Sequence, residues 1–136
     1  MNGYKVHHIG YAVHSINEAM PQFLMLGYQF GETVLDPLRN VKIVFGMNDK
    51  TNIELIEPVS KASPVWNLLN KMHTASPYHI CYITDDIDQT CAHLEADGWL
   101  LVSEPAPAPA IDGNRVAFFS SMEIGLVEFV EINYSN

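Results

Sequence analysis

The chain repeats itself. HIGYAVHSINEAMPQFLMLGYQF begins at His8, and HICYITDDIDQTCAHLEADGWLL begins at His79, 71 residues later. On this offset His8 falls on His79, Tyr11 on Tyr82, Ser15 on Asp86, Ile16 on Ile87 and Gly27 on Gly98. A second stretch repeats as well. NVKIVFGMNDKTNIELIEP from Asn40 matches NRVAFFSSMEIGLVEFVEI from Asn114 at an offset of 74, which sets Glu54 on Glu128 and Glu57 on Glu131. The added residues are placed in the Pro/Ala-rich run Pro105 to Ala110. A duplication of this kind restricts the chain to a fold built from two like supersecondary modules.

Each copy predicts the same elements. A strand near Val6–Val13 is rich in β-branched and aromatic residues. The following helix has a marked start: Ser15 with Glu18, and Asp86 with Gln89, have the spacing of a capping box. Gly27 and Gly98 predict its end, where a left-handed residue is easiest for glycine. Pro21 lies inside the first helix and is expected to kink or shorten it. Three strands follow, around Tyr28–Leu35, Val41–Gly46 and Ile53–Glu57, then Trp99–Glu104, Arg115–Ser120 and Leu126–Ile132. Between the copies, SPVWNLLNKM predicts a linker helix with Pro64 at its first position and Val65, Leu68, Leu69 and Met72 on one face. The stretch Ser103–Gly113 predicts a stiff, extended connector. The expected class is therefore α+β: one domain over 1–136, with module one at about 5–58, the linker helix at about 63–73 and module two at about 76–134.

Composition narrows the function. A 48% hydrophobic fraction in 136 residues supports a real core rather than disorder. No apolar run reaches the length of a membrane span, and the first residues lack the apolar stretch of a signal peptide, so the cytoplasm is the expected compartment. The net charge is −9 and the 7 basic residues are scattered, which argues against nucleic acid and membrane surfaces as partners. Cys81 and Cys91 form no CxxC pair and predict buried, hydrophobic roles.

Four repeated polar residues carry the chemistry. His8 and His79 open their strands, and Glu54 and Glu128 sit between apolar neighbours in theirs. A carboxylate on the inner face of such a strand is costly without a cation beside it. If the modules pair about a pseudo-twofold axis, each supplies one imidazole and one carboxylate to a shared cleft. That set suits Zn, Ni, Co, Fe or Mn and leaves positions open for water or a chelating substrate. His7, His14, His73 and His93 do not repeat and read as surface residues or as supports to the ligands. Glu57 and Glu131 repeat, but lie three residues on, across the strand, and read as exposed. Phe45, Phe118 and Phe119 are candidates for lining a pocket.

These motifs resemble the vicinal oxygen chelate superfamily, which includes glyoxalase I, methylmalonyl-CoA epimerase, extradiol dioxygenases and bleomycin-resistance proteins. The resemblance covers nearly the whole chain. It is nearest to methylmalonyl-CoA epimerases, through HIGYAV at His8–Val13, IELIEP at Ile53–Pro58, YHICYITDDID at Tyr78–Asp88, GNR at Gly113–Arg115 and GLVEF at Gly125–Phe129. It implies paired βαβββ modules in a curved, cleft-enclosing mixed sheet. It also implies one divalent metal on His8, Glu54, His79 and Glu128, a small-molecule substrate and a homodimer. Two departures stand out. Ser120-Ser121 occupies the place of a His-Pro pair common in such epimerases, and the charged residue on the strand that carries an acid/base carboxylate in some members is Lys42.

The expected activity is proton transfer beside a metal-chelated carbonyl, as in an acyl thioester epimerase. Glu128 and Lys42 are the candidate bases. Phe45, Phe118 and Arg115 are candidate substrate contacts. The alternatives are a glyoxalase-I-like lyase with the same ligand set and a non-enzymatic binding protein of the resistance type.

Overall fold

A computed structural model describes residues 3–134. The chain divides into two compact units, residues 8–78 and residues 79–134 together with 3–7, each taken below with the whole of the strand that opens its module.

The first unit runs β1 (Val6–Ala12), α1 (Ile16–Met25), β2 (Gln29–Phe30), β3 (Val34–Asp36), β4 (Val41–Asn48) and β5 (Thr51–Pro58). Its strands lie in the order β2-β4-β5-β1, with β3 also on β4. β1 and β5 are parallel, and the other pairings are antiparallel. The single strand expected over Tyr28–Leu35 is therefore two short ones, interrupted at Gly31–Thr33. The second unit runs β6 (Ser76–Thr84), α3 (Ile87–Ala96), β7 (Leu100–Pro107), β8 (Arg115–Ser121) and β9 (Gly125–Glu131), in the order β6-β9-β8-β7 with β6 and β9 parallel. Both are the βαβββ module that the duplication predicts. The linker helix, α2, spans Pro64–Met72, with Ser63 as its cap and Val65 and Leu69 buried.

Helix starts follow the sequence closely. Ser15 Oγ accepts from Glu18 N at 3.2 Å, and Asp86 Oδ1 accepts from Gln89 N at 3.0 Å. Gly27 and Gly98 follow the helices at φ +103° and +91°. Pro21 does not shorten α1, which has 10 residues like α3. Its cost, about 3 kcal/mol in a helix interior, is offset by packing: Ile16 joins Val13, Val44, Ile53 and Leu55 in the core under α1, with Phe23 against it. The equivalent core under α3 is Ile87, Cys91, Ala117, Phe119, Val127 and Phe129. Burial pushes the Cys91 thiol above its ordinary value, with Asp88 and Glu95 adding to the effect.

Strand register refines the duplication. Phe45 pairs with Glu54, and Phe118 pairs with Glu128, so Phe45 corresponds to Phe118 at an offset of 73. One added residue therefore lies in the β8–β9 turn, after Ser121, and the rest lie earlier. On this offset Lys42 corresponds to Arg115. The Pro/Ala stretch is not a plain connector either. It continues β7 to Pro107 and then forms a 3-10 turn, Pro109–Ile111, whose Ile111 is buried with Ala108.

The modules solve one packing problem differently. Thr84 and Thr90 are buried, with their hydroxyls 2.7 Å apart, whereas the first module has Val13 and Ala19 at these places. Thr84→Val should cost about 1–3 kcal/mol by leaving the Thr90 hydroxyl buried without its partner. Adding Thr90→Ala should recover the part of that loss owed to the hydroxyl pair, though not the bond that Thr84 Oγ1 accepts from Asp86 N at 3.2 Å. A double-mutant cycle by urea denaturation measures the coupling, and simple additivity would contradict this account.

Candidate functional site

The site residues are set by strand alternation. On β5, Glu54 shares a side with Asn52 and Ile56, while Ile53, Leu55 and Glu57 turn toward α1. Gly10 pairs with Glu54 in the parallel β1–β5 register, which puts His8 one step back on the same side. His8 Nε2 and Glu54 Oε1 are 3.3 Å apart, and the residues are 1% and 3% exposed. The Phe45 ring meets the His8 imidazole edge-on at 5.0 Å between centroids.

The second unit repeats this arrangement. His79 Nε2 and Glu128 Oε1 are 3.0 Å apart, and both residues are 4% exposed. Phe118 stands edge-on to the His79 imidazole at 5.4 Å. Cys81 is level with Glu128 on β6 and fully buried. Each module thus buries one imidazole–carboxylate pair under a phenylalanine. Phe45 and Phe118 were both expected near the site, and each lies against the histidine of its own module. The donors, imidazole nitrogen and carboxylate oxygen, are those a divalent transition metal takes.

Lys42 and Arg115 lie elsewhere. Lys42 is exposed and pairs with Glu57 in the β4–β5 register, three residues from Phe45 and hence on the helix side of its strand. That placement speaks against its reading as a base, because Glu54, on the neighbouring β5, is turned to the opposite side of the β4–β5 pair. Arg115 is turned the same way. Its guanidinium meets Asp88 at 3.0 Å and Glu131 at 3.2 Å. The hydrogen bond to Asp88, more than that to Glu131, raises its pKa above the ordinary value. It is engaged in holding α3, not in reaching the Glu128 side. A cleft of about 360 Å³ borders it, lined by Cys91, Glu95 and Glu104 among others, and lies on this helix side as well.

The carboxylates expected to be exposed have a structural role. Glu57 Oε1 accepts from Ile16 N at 2.7 Å, and Glu131 Oε2 accepts from Ile87 N at 3.0 Å. Each ties the first turn of its module's helix to the last strand, where the helix dipole favours an anion. The signal was present in the sequence: both repeat, and both lie at the end of the strand that runs beside the helix-bearing one.

Residues 7–118 match the family model of the Glyoxalase/Bleomycin resistance protein/Dioxygenase superfamily. The chain belongs to this superfamily. Among its members, a mitochondrial methylmalonyl-CoA epimerase of Dictyostelium discoideum is 31% identical over 133 residues, covering 93% of this chain and 78% of that one. A Bacillus halodurans crystal structure described as a hypothetical protein matches with TM-score 0.87 and 29% identity over 99% of both chains. The methylmalonyl-CoA epimerase of Mycobacterium tuberculosis matches with TM-score 0.83 and 21% identity, over 94% of this chain and 87% of that one. The superfamily fold thus extends over nearly the whole chain, as the duplicated motifs predict.

Proposed function

We propose that His8, Glu54, His79 and Glu128 together hold one divalent metal ion, and that the protein catalyses proton transfer at the carbon beside the carbonyl of an acyl thioester. One observation carries this reading: a buried His–Glu pair occurs twice, once in each module, each time under a phenylalanine. Carboxylates buried this deeply call for a cation, and a shared divalent ion provides one for both. Bound there, it would polarise the substrate carbonyl and stabilise the enolate formed when the α-proton leaves.

The protein's own residues do the rest. Glu128 is the assigned base, a choice that the helix-side placement of Lys42 supports. The His79 imidazole lies 3.0 Å from its carboxylate and is itself packed edge-on against the Phe118 ring. Phe45 and Phe118 supply apolar cover that keeps water from the carbanion. The epimerase relatives support the reaction class.

The test is α-proton exchange in deuterated water, followed by NMR, with protein loaded with Co, Ni, Mn or Zn. Exchange of methylmalonyl-CoA or of a 2-hydroxyacyl-CoA supports the reading, and exchange of neither overturns it. Turnover of methylglyoxal with glutathione, run in parallel, would instead make the protein a glyoxalase-type lyase. Lys42→Ala should keep the exchange rate within about twofold, as for an exposed residue away from the chemistry. A loss of a hundredfold would restore Lys42 as a base.

A further inference from the structure

The charge of the ligand set bears on what it can accept. Resting on the metal-site reading above, we infer that the chelating end of the substrate is neutral, an α-hydroxycarbonyl group, rather than a malonyl-type anion. Glu54 and Glu128 each bring one negative charge, and metal-bound histidines are neutral. With a divalent ion the four ligands sum to zero. A glutamine in place of either glutamate would leave a net positive charge, which an anionic chelator could neutralise. Here an anionic chelator would add an uncompensated charge to a buried setting, which is costly.

Among the described residues of β4 and β8, no side chain on these strand sides offsets that charge. On the strand side that carries Glu54, β4 presents Val41, Ile43, Phe45 and Met47. On the side that carries Glu128, β8 presents Val116, Phe118 and Ser120. None is basic. Lys42 and Arg115 are turned to the helix side, and Arg115 is held by Asp88 and Glu131. Arg39, in the turn after β3, is ion-paired with Asp36 at 2.8 Å. The net charge of −9 opposes anions further. An α-hydroxycarbonyl offers two oxygens to one metal ion and brings no charge.

The test compares lactoyl-pantetheine with malonyl-pantetheine, which removes the phosphates of CoA from the comparison. Each is titrated into cobalt-loaded protein, with the visible cobalt bands as the readout and metal content measured by elemental analysis. The neutral thioester should bind at least about tenfold tighter. Glu54→Gln should tighten malonyl-pantetheine by about tenfold while changing lactoyl-pantetheine little. Glu54→Asp, which keeps the charge, should preserve the wild-type preference. Equal or tighter binding of malonyl-pantetheine to the wild type overturns the inference. So does a Glu54→Gln variant that holds cobalt and shows no gain for the anion. If Glu54→Gln fails to hold cobalt, the wild-type preference decides. If the wild type itself fails to bind cobalt, the metal-site reading falls, and this inference with it.

Discussion

Replacing Glu128 with glutamine is expected to lower α-proton exchange by about 10²–10⁴-fold, the range a positioned general base contributes. The change keeps the side chain's shape and removes its charge. Glu128 is 4% exposed and 3.0 Å from His79 Nε2, so the neutral amide stays where the carboxylate was but accepts no proton. The His8–Glu54 pair in the other module is untouched. Metal binding gives an independent readout. Saturating cobalt or zinc should raise the melting temperature of the wild type, since a ligand at a thousand times its Kd stabilises by about 4 kcal/mol. That rise should shrink in Glu128→Gln and vanish in His79→Ala. Wild-type exchange rates together with full metal-dependent stabilisation in Glu128→Gln would remove Glu128 from both roles.

The second large effect concerns stability alone. Glu57→Ala and Glu131→Ala should each cost about 1.5–3 kcal/mol, the usual worth of hydrogen bonds to a charged group. Glu57 holds the N–H of Ile16 at 2.7 Å, and Glu131 holds that of Ile87 at 3.0 Å while also pairing with Arg115. They act on different helices, through Ile16 and Ile87, so their losses should add. The sum is a large share of the 5–15 kcal/mol that holds a typical domain together. Guanidinium denaturation measures it. A double variant as stable as the wild type would show that the helices need no such tie. Metal content of the folded variants should be unchanged, because both carboxylates lie on the helix side of their strands.

These two glutamate pairs show what the sequence could and could not disclose. The two buried His–Glu pairs were legible because imidazole and carboxylate repeat together in apolar surroundings, and burial without partners would be costly for each. Glu57 and Glu131 repeat just as faithfully, yet their role depends on which helix end lies above the strand, and that is a tertiary fact. Lys42 was misread because charge alone does not say which side of a strand a residue occupies. Its register opposite Glu57 does. The gap in the duplication was misplaced for a related reason: one added residue in a hairpin turn leaves the hydrophobic pattern of β8 nearly intact. Pro21 was taken at its intrinsic propensity, which the core beneath α1 outweighs. The capping residues and the closing glycines were read correctly because their effects are local.

The three-residue step from Glu54 to Glu57, and again from Glu128 to Glu131, has a consequence for how such a protein can change. On each strand, one carboxylate belongs to a buried His–Glu pair and the next fastens a helix, and no position serves both. Substitutions on the side of the His–Glu pairs can therefore accumulate without loosening the helix ties, and those ties can be reinforced without disturbing the pairs. An engineer could redesign the two surfaces in separate libraries and combine the winners. A one-residue insertion within β5 or β9 would be the exception, since it would exchange the two duties at a stroke.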